Sequence, residues 1–351
     1  MVFWQRRGAL FLLLCPCSIL YRFVCFLRKK LFQYHIKKIT HLDVPVIVVG
    51  NITVGGTGKT PTVIWLAKFL KSQGLSVGIV SRGYGGRATN WPQFVTQNSQ
   101  PQLVGDEAVL IVRQTKCPMV VAPDRVAAAK QLLNEHQCDV ILSDDGLQHY
   151  ALGRTMEIAV IDHAYLLGNG ALLPAGPLRE PATRLTSVDC IICNHHALEL
   201  SVNVIQAKLK KKYGLQTLPT TLIMQKTPGS IYQLMNSNNH LNVDTVNHPV
   251  HAVSGIANPI RFFNDLRSIG LEVIEHPYPD HHSFKKQEID FCPDDIIIMT
   301  EKDSVKCVQF ADKRHWSLTL KMTMNQKFVT VLKKKLNQLG VLHDFCENQP
   351  S

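Results

Sequence analysis

Near the start of the chain, a lysine and a threonine follow a cluster of glycines, and this combination can bind phosphate. Gly55, Gly56 and Gly58 immediately precede or flank Lys59 and Thr60. Glycines let backbone N–H groups turn towards phosphate oxygens because no Cβ stands in the way. The lysine then reaches the β- and γ-phosphates of a nucleotide, and the threonine hydroxyl binds Mg²⁺. The predicted nucleotide-binding residues are Thr53, Val54, Gly55, Gly56, Thr57, Gly58, Lys59 and Thr60.

The spacing of this loop differs from the usual P-loop at one position. The pattern G-x-x-x-x-G-K-[ST] has a glycine where this chain has Thr53. We expect Gly55 and Gly56 to supply the missing backbone freedom. A glycine-rich turn without a ligand is the alternative interpretation. Phosphate binding is favoured because an apolar, strand-like run precedes the loop at residues 46–49 and a helical pattern follows at 64–70.

Paired aspartates close a second apolar run. Asp144 and Asp145 follow residues 139–143, which read as a buried strand. Acids at a strand end downstream of a P-loop place carboxylate oxygens near the nucleotide's metal ion. Gln148 and His149 follow closely, and we expect them to line the same cleft. The predicted Mg²⁺ ligands are Thr60, Asp144 and Asp145.

Two further segments carry polar side chains where a ligand could reach them. Arg82 and Tyr84 lie in a glycine-rich loop after the strand-like run 77–80, and this loop is a substrate contact or an ordinary turn. Asp106 and Glu107 begin a predicted helix. Acids in a first helical turn are common because of the helix dipole, so their spacing alone does not assign a catalytic role.

The elements that position these residues alternate between strands and helices. This alternation predicts an α/β fold with a P-loop NTPase-like, doubly wound parallel sheet. We place the larger lobe at residues 31–215 and a smaller α/β C-terminal lobe, with its linker, at 216–351. The linker is predicted to be two-stranded, with extended segments at 217–224 and 230–235 joined by a turn at Pro228-Gly229.

Residues 1–30 combine an apolar run with flanking basic side chains. Pro16 and Arg22 interrupt the run, so its uninterrupted part is shorter than the ~20 residues that span a bilayer. We predict a membrane-seated helix at an anionic surface, with a buried core helix or a signal peptide as alternatives. The formal net charge of the 351-residue chain is +11. Because basic and aromatic residues do not alternate, nucleic acid is not an expected partner.

Ten cysteines are scattered without the spacing of a disulfide framework. Cys190 and Cys193, with His195 and His196, have the spacing of half a zinc site. Ile191 and Ile192 between them favour a buried strand instead, since no second pair lies at zinc-finger spacing. Because a nucleotide-binding chain is normally cytoplasmic, we interpret the cysteines as reduced thiols.

With these residues in hand, the chain resembles the tetraacyldisaccharide 4'-kinase family of lipid A biosynthesis. The matching segments, in order from residue 50 to residue 306, are GNITVGGTGKTP, SRGYGG, VGDEA, DDGLQH, PAGPLREP, SGIANPIRFF, PDHHSF and TEKDSVK. Each segment alone is moderately specific, whereas the ordered set is highly specific. The resemblance implies a larger P-loop lobe and a smaller lobe with the active site between them.

The resemblance also implies an activity. Members of this family transfer the γ-phosphate of ATP, with Mg²⁺, to the 4'-hydroxyl of a tetraacylated glucosamine disaccharide 1-phosphate, giving lipid IVA at the cytoplasmic face of the inner membrane. Asp106 matches the catalytic carboxylate, and its partner is a histidine of the DHH motif, for which we choose His281 over His282. The implied catalytic residues are Asp106, His281, Asp145 and Lys59. The implied substrate-side residues are Arg82, Tyr84, Glu107, Gln148, His149, Arg179 and Glu180.

Two other classes of protein share parts of this pattern. A membrane-associated P-loop ATPase of the partitioning or metallochaperone type also has a glycine-rich GKT loop and acidic strand ends. It has no need of Asp106 and the Asp280-His281-His282 cluster. A nucleotide-gated membrane scaffold without catalysis is the second alternative. We expect a monomer whose partners are ATP, the lipid A disaccharide precursor and an anionic membrane surface.

Overall fold

The structure is a computed structural model that describes residues 2–5, 7–195, 201–292, 295–324, 326–338 and 340. The strands are β1 (Val46–Gly50), β2 (Val77–Ser81), β3 (Gln93–Val95), β4 (Met119–Val121), β5 (Val140–Asp144), β6 (Met156–Asp162), β7 (Cys190–His195), β8 (Thr220–Gln233), β9 (Val250–Ser254), β10 (Val273–Pro277), β11 (Ile297–Thr300) and β12 (His315–Met324). The helices are α1 (Ala9–Gln33), α2 (Lys59–Ser72), α3 (Pro101–Val104), α4 (Asp106–Thr115), α5 (Arg125–Glu135), α6 (Val202–Tyr213), α7 (Pro259–Ser268), α8 (Glu301–Cys307) and α9 (Gln326–Gln338).

The described chain divides into two compact units that alternate along the sequence. The first unit comprises Met1–Val80, Asp124–Gln225 and Met324–Ser351, and the second comprises Ser81–Pro123 and Lys226–Thr323. We had expected one boundary near residue 215. The alternation has a physical cause, because α4 packs against α8 in the second unit. In the first unit, Phe328 of α9 packs edge-on against Trp65 of α2, with ring centroids 5.2 Å apart.

A parallel sheet forms the centre of the first unit. Its strand order is β8-β7-β6-β1-β5-β2. Every residue of β1, β5 and β6 is buried, as expected for strands with helices on both faces. Val49 of β1 pairs with Asp144 of β5, so the carboxyl ends of these neighbouring strands lie side by side. The predicted α/β fold with a large parallel sheet is confirmed.

The second unit has its own parallel strands, in the order β10-β9-β11-β12. One of its cores buries Phe262, Phe263 and Leu266 of α7 against Ile298 of β11 and Trp316 of β12. Burial of large aromatic and aliphatic side chains is the main stabilising contribution to such a core. β3 and β4 pair antiparallel within the same unit.

The turn predicted at Pro228-Gly229 is wrong. Both residues lie inside β8, which runs without interruption from Thr220 to Gln233. β8 pairs with β12 instead of folding back on itself. A Cβ on Gly229 would lie 2.3 Å from the Thr319 hydroxyl oxygen, so this glycine permits close approach of the neighbouring strand. The Pro-Gly pair therefore lies at a close contact between strands, although its sequence is typical of a turn.

The N-terminal helix α1 has two different faces. One face contacts the loop around residues 172–179: the Ser18 hydroxyl donates to the Leu172 carbonyl (2.9 Å), and the Tyr21 hydroxyl donates to the Arg179 carbonyl (3.1 Å). The other face exposes large apolar side chains, namely Leu10, Leu12, Leu13, Ile19, Leu20, Phe23, Val24, Phe26 and Leu27. Within the described residues, α1 is the one helix long and apolar enough to cross a membrane. The alternative of a buried core helix is wrong, because only 6% of its most apolar window is buried.

Candidate active site

The glycine-rich loop connects β1 to α2 in the first unit, in the order that a P-loop requires. β1 ends at Gly50, and α2 begins at Lys59. Gly55 and Gly58 have φ values of 101° and 89°, which L-residues with a Cβ rarely adopt. Lys59 and Thr60 occupy the first turn of α2, where the unsatisfied N–H groups and the helix dipole favour an anion. The local geometry is therefore that of a phosphate-binding turn.

Thr53 replaces the expected glycine without strain, because the backbone there is extended. Thr53 forms an isolated bridge with Leu178. On either side, the Val54 N–H donates to the Pro177 carbonyl (2.8 Å), and the Arg179 N–H donates to the Ile52 carbonyl (2.7 Å). A residue paired in this way needs no left-handed conformation. The positive φ falls on Gly55 instead, which gives a physical reason for the altered spacing.

The Asp144-Asp145 pair lies at the carboxyl end of β5, next to the start of this loop. Lys59 Nζ lies 3.7 Å from Asp145 Oδ1. Burial alone would raise the pKa of Asp145, but the positive charges of Lys59 and Arg179 lower it, so the group is a carboxylate at neutral pH. Carboxylate and hydroxyl oxygens are donors that Mg²⁺ prefers. Asp144 and Asp145 supply carboxylates at the end of β5, and Thr60 supplies a hydroxyl in the first turn of α2. This donor set fits the predicted metal ion.

Glu180 is held by two side chains of the segment that follows the aspartates. Gln148 Nε2 donates to Glu180 Oε2 (2.8 Å) and to the Asn51 carbonyl (3.0 Å). The Tyr150 hydroxyl donates to Glu180 Oε1. His149 is neutral at pH 7, since burial and the nearby Arg125 lower its pKa to about 4. Gln148 thereby links the P-loop strand to the loop that carries Arg179 and Glu180.

In the second unit, Asp106 at the start of α4 pairs with a histidine. His281 Nδ1 lies 3.1 Å from Asp106 Oδ2, and the Glu107 N–H donates to Asp106 Oδ1 (2.9 Å). Burial would raise the pKa of Asp106, but the hydrogen bond from His281 and the charge of Lys302 lower it below its ordinary value. The same hydrogen bond raises the pKa of His281, against burial and the Lys302 charge.

The choice between the two histidines follows from their contacts. His282 Nε2 lies 3.1 Å from Glu288 Oε1, whereas His281 is the one that pairs with Asp106. His281 has a φ of 62°, an uncommon conformation for a residue with a Cβ. The Tyr84 ring lies edge-on to the His281 ring, with centroids 5.3 Å apart. Arg82, in the same loop as Tyr84, is exposed.

Three residues near these groups were missed by the sequence reasoning. Arg125 is buried, and its Nη2 donates to the Asp145 carbonyl at 3.4 Å. Tyr150 contacts Glu180, and Lys302 lies 3.3 Å from Glu107 Oε1. Arg125 and Lys302 share a signal, because each stands in the first turn of a helix that follows a strand of the sheet. Ligands bind at that edge of α/β sheets, so polar residues there were candidates.

The half zinc site is not supported. Cys190 and Cys193 are buried on β7, and burial raises the pKa of each thiol to about 12. Zinc binds thiolates, which these environments disfavour. His196 lies outside the described residues.

Comparison with known proteins gives the family. The profile of the Tetraacyldisaccharide-1-P 4'-kinase family matches residues 10–337. Tetraacyldisaccharide 4'-kinase from Coxiella burnetii (strain RSA 331 / Henzerling II) is 45% identical over 328 residues, which cover 93% of this chain and 91% of that protein. The protein of the same name from Methylobacillus flagellatus is 42% identical over 337 residues, covering 96% of this chain and 95% of the relative. The chain belongs to the tetraacyldisaccharide 4'-kinase family.

A solved structure supports the same assignment. LpxK from Aquifex aeolicus, whose crystal structure is described as an "apo" form in complex with ATP, matches with a TM-score of 0.77. It is 27% identical and covers 95% of this chain and 100% of that one. Membership of the tetraacyldisaccharide 4'-kinase family confirms the predicted enzyme class, a phosphotransferase. The alternatives of a switch ATPase and of a scaffold without catalysis are therefore wrong.

Proposed function

We propose that this chain transfers the γ-phosphate of ATP to the 4'-hydroxyl of tetraacyldisaccharide 1-phosphate, forming lipid IVA. The observation that carries the proposal is the pair of His281 and Asp106, 3.1 Å apart, in a chain that also has a P-loop at Lys59 and Thr60. A protein that uses ATP only to change conformation has no need of a carboxylate-histidine pair. A kinase acting on an alcohol needs a group that orients the hydroxyl and accepts its proton.

The proposal assigns the nucleotide to the first unit. The backbone N–H groups of the loop and the Lys59 ammonium bind the phosphates, with Thr53, Val54 and Thr57 as further loop contacts. Thr60, Asp144 and Asp145 would hold Mg²⁺, which would supply positive charge that stabilises the negative charge of the triphosphate. Arg179 pairs with Asp145 in this structure, and we assign its planar guanidinium to phosphate oxygens when the nucleotide is bound.

Asp106 of the second unit acts as the base. A sugar hydroxyl has a pKa far above 7, so a carboxylate does not remove its proton in the ground state. Asp106 orients the hydroxyl and accepts its proton late, as the hydroxyl oxygen bonds to the loose, metaphosphate-like γ-phosphoryl group and the bond from that group to the departing ADP breaks. His281 holds the orientation of Asp106 and keeps its pKa low. Tyr84, Arg82, Glu107, Gln148, His149 and Glu180 are assigned to the sugar-phosphate substrate.

The site of action is the cytoplasmic face of the inner membrane, and the working form is a monomer. Four acyl chains keep the substrate in the bilayer, so the enzyme must meet the sugar at the membrane surface. The exposed apolar face of α1 supplies the contact with lipid. Arg22, Lys29 and Lys30 on the same helix supply charge that attracts anionic headgroups and the substrate's 1-phosphate.

The test is incubation of the full chain with labelled ATP and the lipid disaccharide in mixed micelles. We expect label in a lipid whose mass is increased by one phosphate, and little ATP turnover without the lipid. ATP hydrolysis that proceeds equally well without lipid, with no phosphorylated lipid formed, would refute the proposal. A variant with Asp244→Asn, an exposed acid in a polar turn, serves as the control for handling and folding.

A further inference from the structure

Lys302 belongs to the TEKDSVK segment, and its contacts connect it to the proposed catalytic pair. It stands in the first turn of α8, in the second unit, and its side chain is only 17% exposed. Its ammonium nitrogen lies 3.2 Å from His281 Nε2, on the side of the ring opposite to Asp106. A lysine buried to this degree normally has a specific partner. Here one of the partners is the imidazole of the proposed catalytic pair.

We propose that Lys302 is a positioning residue for this pair: its ammonium donates a hydrogen bond to His281 Nε2 and thereby fixes the imidazole proton on Nδ1, where it is donated to Asp106. This inference rests on the proposed role of Asp106 as the base. It adds the group that selects the tautomer of the histidine. Selection of a tautomer through the hydrogen bond at the other ring nitrogen is a general property of histidine sites.

The charges around the ammonium keep it able to donate. Lys302 Nζ lies 3.3 Å from Glu107 Oε1, 3.4 Å from Asp280 Oδ1 and 4.0 Å from Asp106 Oδ2. Burial would lower the pKa of Lys302, but these three carboxylates raise it, so the side chain stays protonated. The ammonium has no lone pair, so the hydrogen bond at 3.2 Å requires a lone pair on Nε2. That lone pair exists only in the neutral imidazole.

The charge of Lys302 favours the same neutral state. Two positive charges about 3 Å apart repel strongly, so Lys302 opposes formation of an imidazolium at His281. Asp106 acts in the other direction, because its hydrogen bond to Nδ1 favours the charged ring. The groups that face the imidazole are Asp106 from α4, Asp280 from its own loop, Lys302 from α8 and the Tyr84 ring. Glu107 of α4 contacts the Lys302 ammonium.

This arrangement separates the roles of the two members of the pair. An imidazolium would neutralise Asp106 and weaken it as a proton acceptor. With Nε2 occupied by Lys302, the imidazole offers no second lone pair to a substrate proton. The substrate proton therefore goes to Asp106, while His281 remains its neutral hydrogen-bond donor.

The experiment compares Lys302→Met, which removes the charge, with Lys302→Arg, which keeps it. Lys286→Met removes one exposed lysine of the same unit and is the matched control. The full chain is labelled with ¹⁵N-histidine, and the His281 signals are identified by their loss in His281→Asn. For Lys302→Met we expect the pKa of His281 to rise by about one unit, and the acidic limb of the kcat–pH profile to move up with it. Lys302→Arg and Lys286→Met should leave both values within a few tenths of a unit.

Two outcomes would overturn the inference. One is an unchanged pKa and tautomer of His281 in Lys302→Met. The other is equal loss of kcat in Lys302→Met and Lys302→Arg with no movement of the limb, which would indicate packing alone. The role of Asp106 as the base is tested separately, with the Asp106→Asn variant. If Asp106→Asn keeps wild-type kcat, the base assignment fails, while the NMR response of His281 still reports on Lys302.

Discussion

The guanidinium of Arg179 holds the carboxylate of Asp145, with Nη1 2.9 Å from Oδ2 and 3.0 Å from Oδ1. Lys59 approaches the same carboxylate at 3.7 Å. Lys59 belongs to the proposed nucleotide site, and we assign Arg179, a residue of the predicted substrate side, to phosphate oxygens as well. In this structure, the Asp145 carboxylate therefore binds the two cations that the proposal assigns to phosphate oxygens. Under the proposed assignment, nucleotide binding exchanges these ion pairs for contacts with phosphate and metal.

Arg179→Lys should weaken nucleotide binding more than lipid binding. Lysine keeps the charge but loses the planar fork that matches carboxylate and phosphate oxygens. We expect the KM for MgATP to rise by about tenfold, corresponding to roughly 1.4 kcal/mol, with a smaller change in the KM for the lipid. Steady-state kinetics with each substrate varied in turn measures both. Arg267→Lys, at an exposed ion pair with Glu275, is the matched control and should change neither.

Asp145 should contribute stability that depends on pH. Its pKa is lowered in the folded chain, so its contribution is complete above the ordinary carboxyl pKa and is lost as the pH falls through the lowered value. The difference in Tm between wild type and Asp145→Asn should thus be largest near neutral pH and shrink below about pH 4. Thermal unfolding between pH 3 and pH 8 tests this, and a difference that grows towards low pH contradicts it.

The backbone at Asp145 gives a second comparison. Its φ is 49°, in the left-handed region that asparagine tolerates better than alanine does. Asp145→Ala should therefore be less stable than Asp145→Asn by about 1 kcal/mol at any pH. Equal unfolding free energies in denaturant titrations would show that the backbone strain has no cost.

Asp106→Asn should separate catalysis from nucleotide binding. The amide cannot accept the hydroxyl proton, so we expect kcat to fall by about 10²–10⁴-fold. Nucleotide affinity should stay within twofold, because the proposal gives the nucleotide to the other unit. Single-turnover kinetics and calorimetric titration of ATP measure the two quantities. An equal loss of both would contradict the base role, and Asp244→Asn again provides the control.

The two faces of α1 should respond differently to substitution. Leu13 and Leu20 are 74% and 65% exposed, so Leu13→Glu with Leu20→Glu should abolish binding to anionic vesicles without lowering Tm. Ser18 is 9% exposed, and its hydroxyl also accepts from the Ala175 N–H at 2.9 Å. Ser18→Ala should lower stability by about 1 kcal/mol and leave vesicle binding unchanged. Vesicle co-sedimentation and thermal unfolding of both variants test the assignment, and a reversed pattern would refute it.

The parts of the fold that were predicted correctly depend on local pattern. β1, the loop and α2 could be predicted because apolar β-branched residues, glycines and a helical period follow one another within a short segment. The acidic end of β5 could be predicted because an apolar run is followed directly by two aspartates. The continuous β8 was missed because Pro228 and Gly229 carry a strong local turn signal. What overrides that signal is pairing with β12, about ninety residues away in sequence.

Site residues and their partners were predicted together only where a sequence motif of the family included them. Asp106 and His281 are 175 positions apart, and no periodicity relates them; the resemblance to the family paired them before the structure did. Lys302 had a local signal, a polar residue at a strand end, but no indication of a partner. Its three carboxylate neighbours come from two other segments. Such clusters are set by tertiary packing, and sequence spacing alone does not reveal them.

The alternation of the two units along the chain has a consequence for biosynthesis. On a ribosome, the P-loop and its strands emerge before α9, which packs Phe328 against Trp65 and is made long after that residue. Neither unit can finish folding while the nascent polypeptide is still short, and the apolar face of α1 is exposed even in the folded chain. We expect this polypeptide to depend on chaperones, or on early contact with lipid, to avoid aggregation during translation.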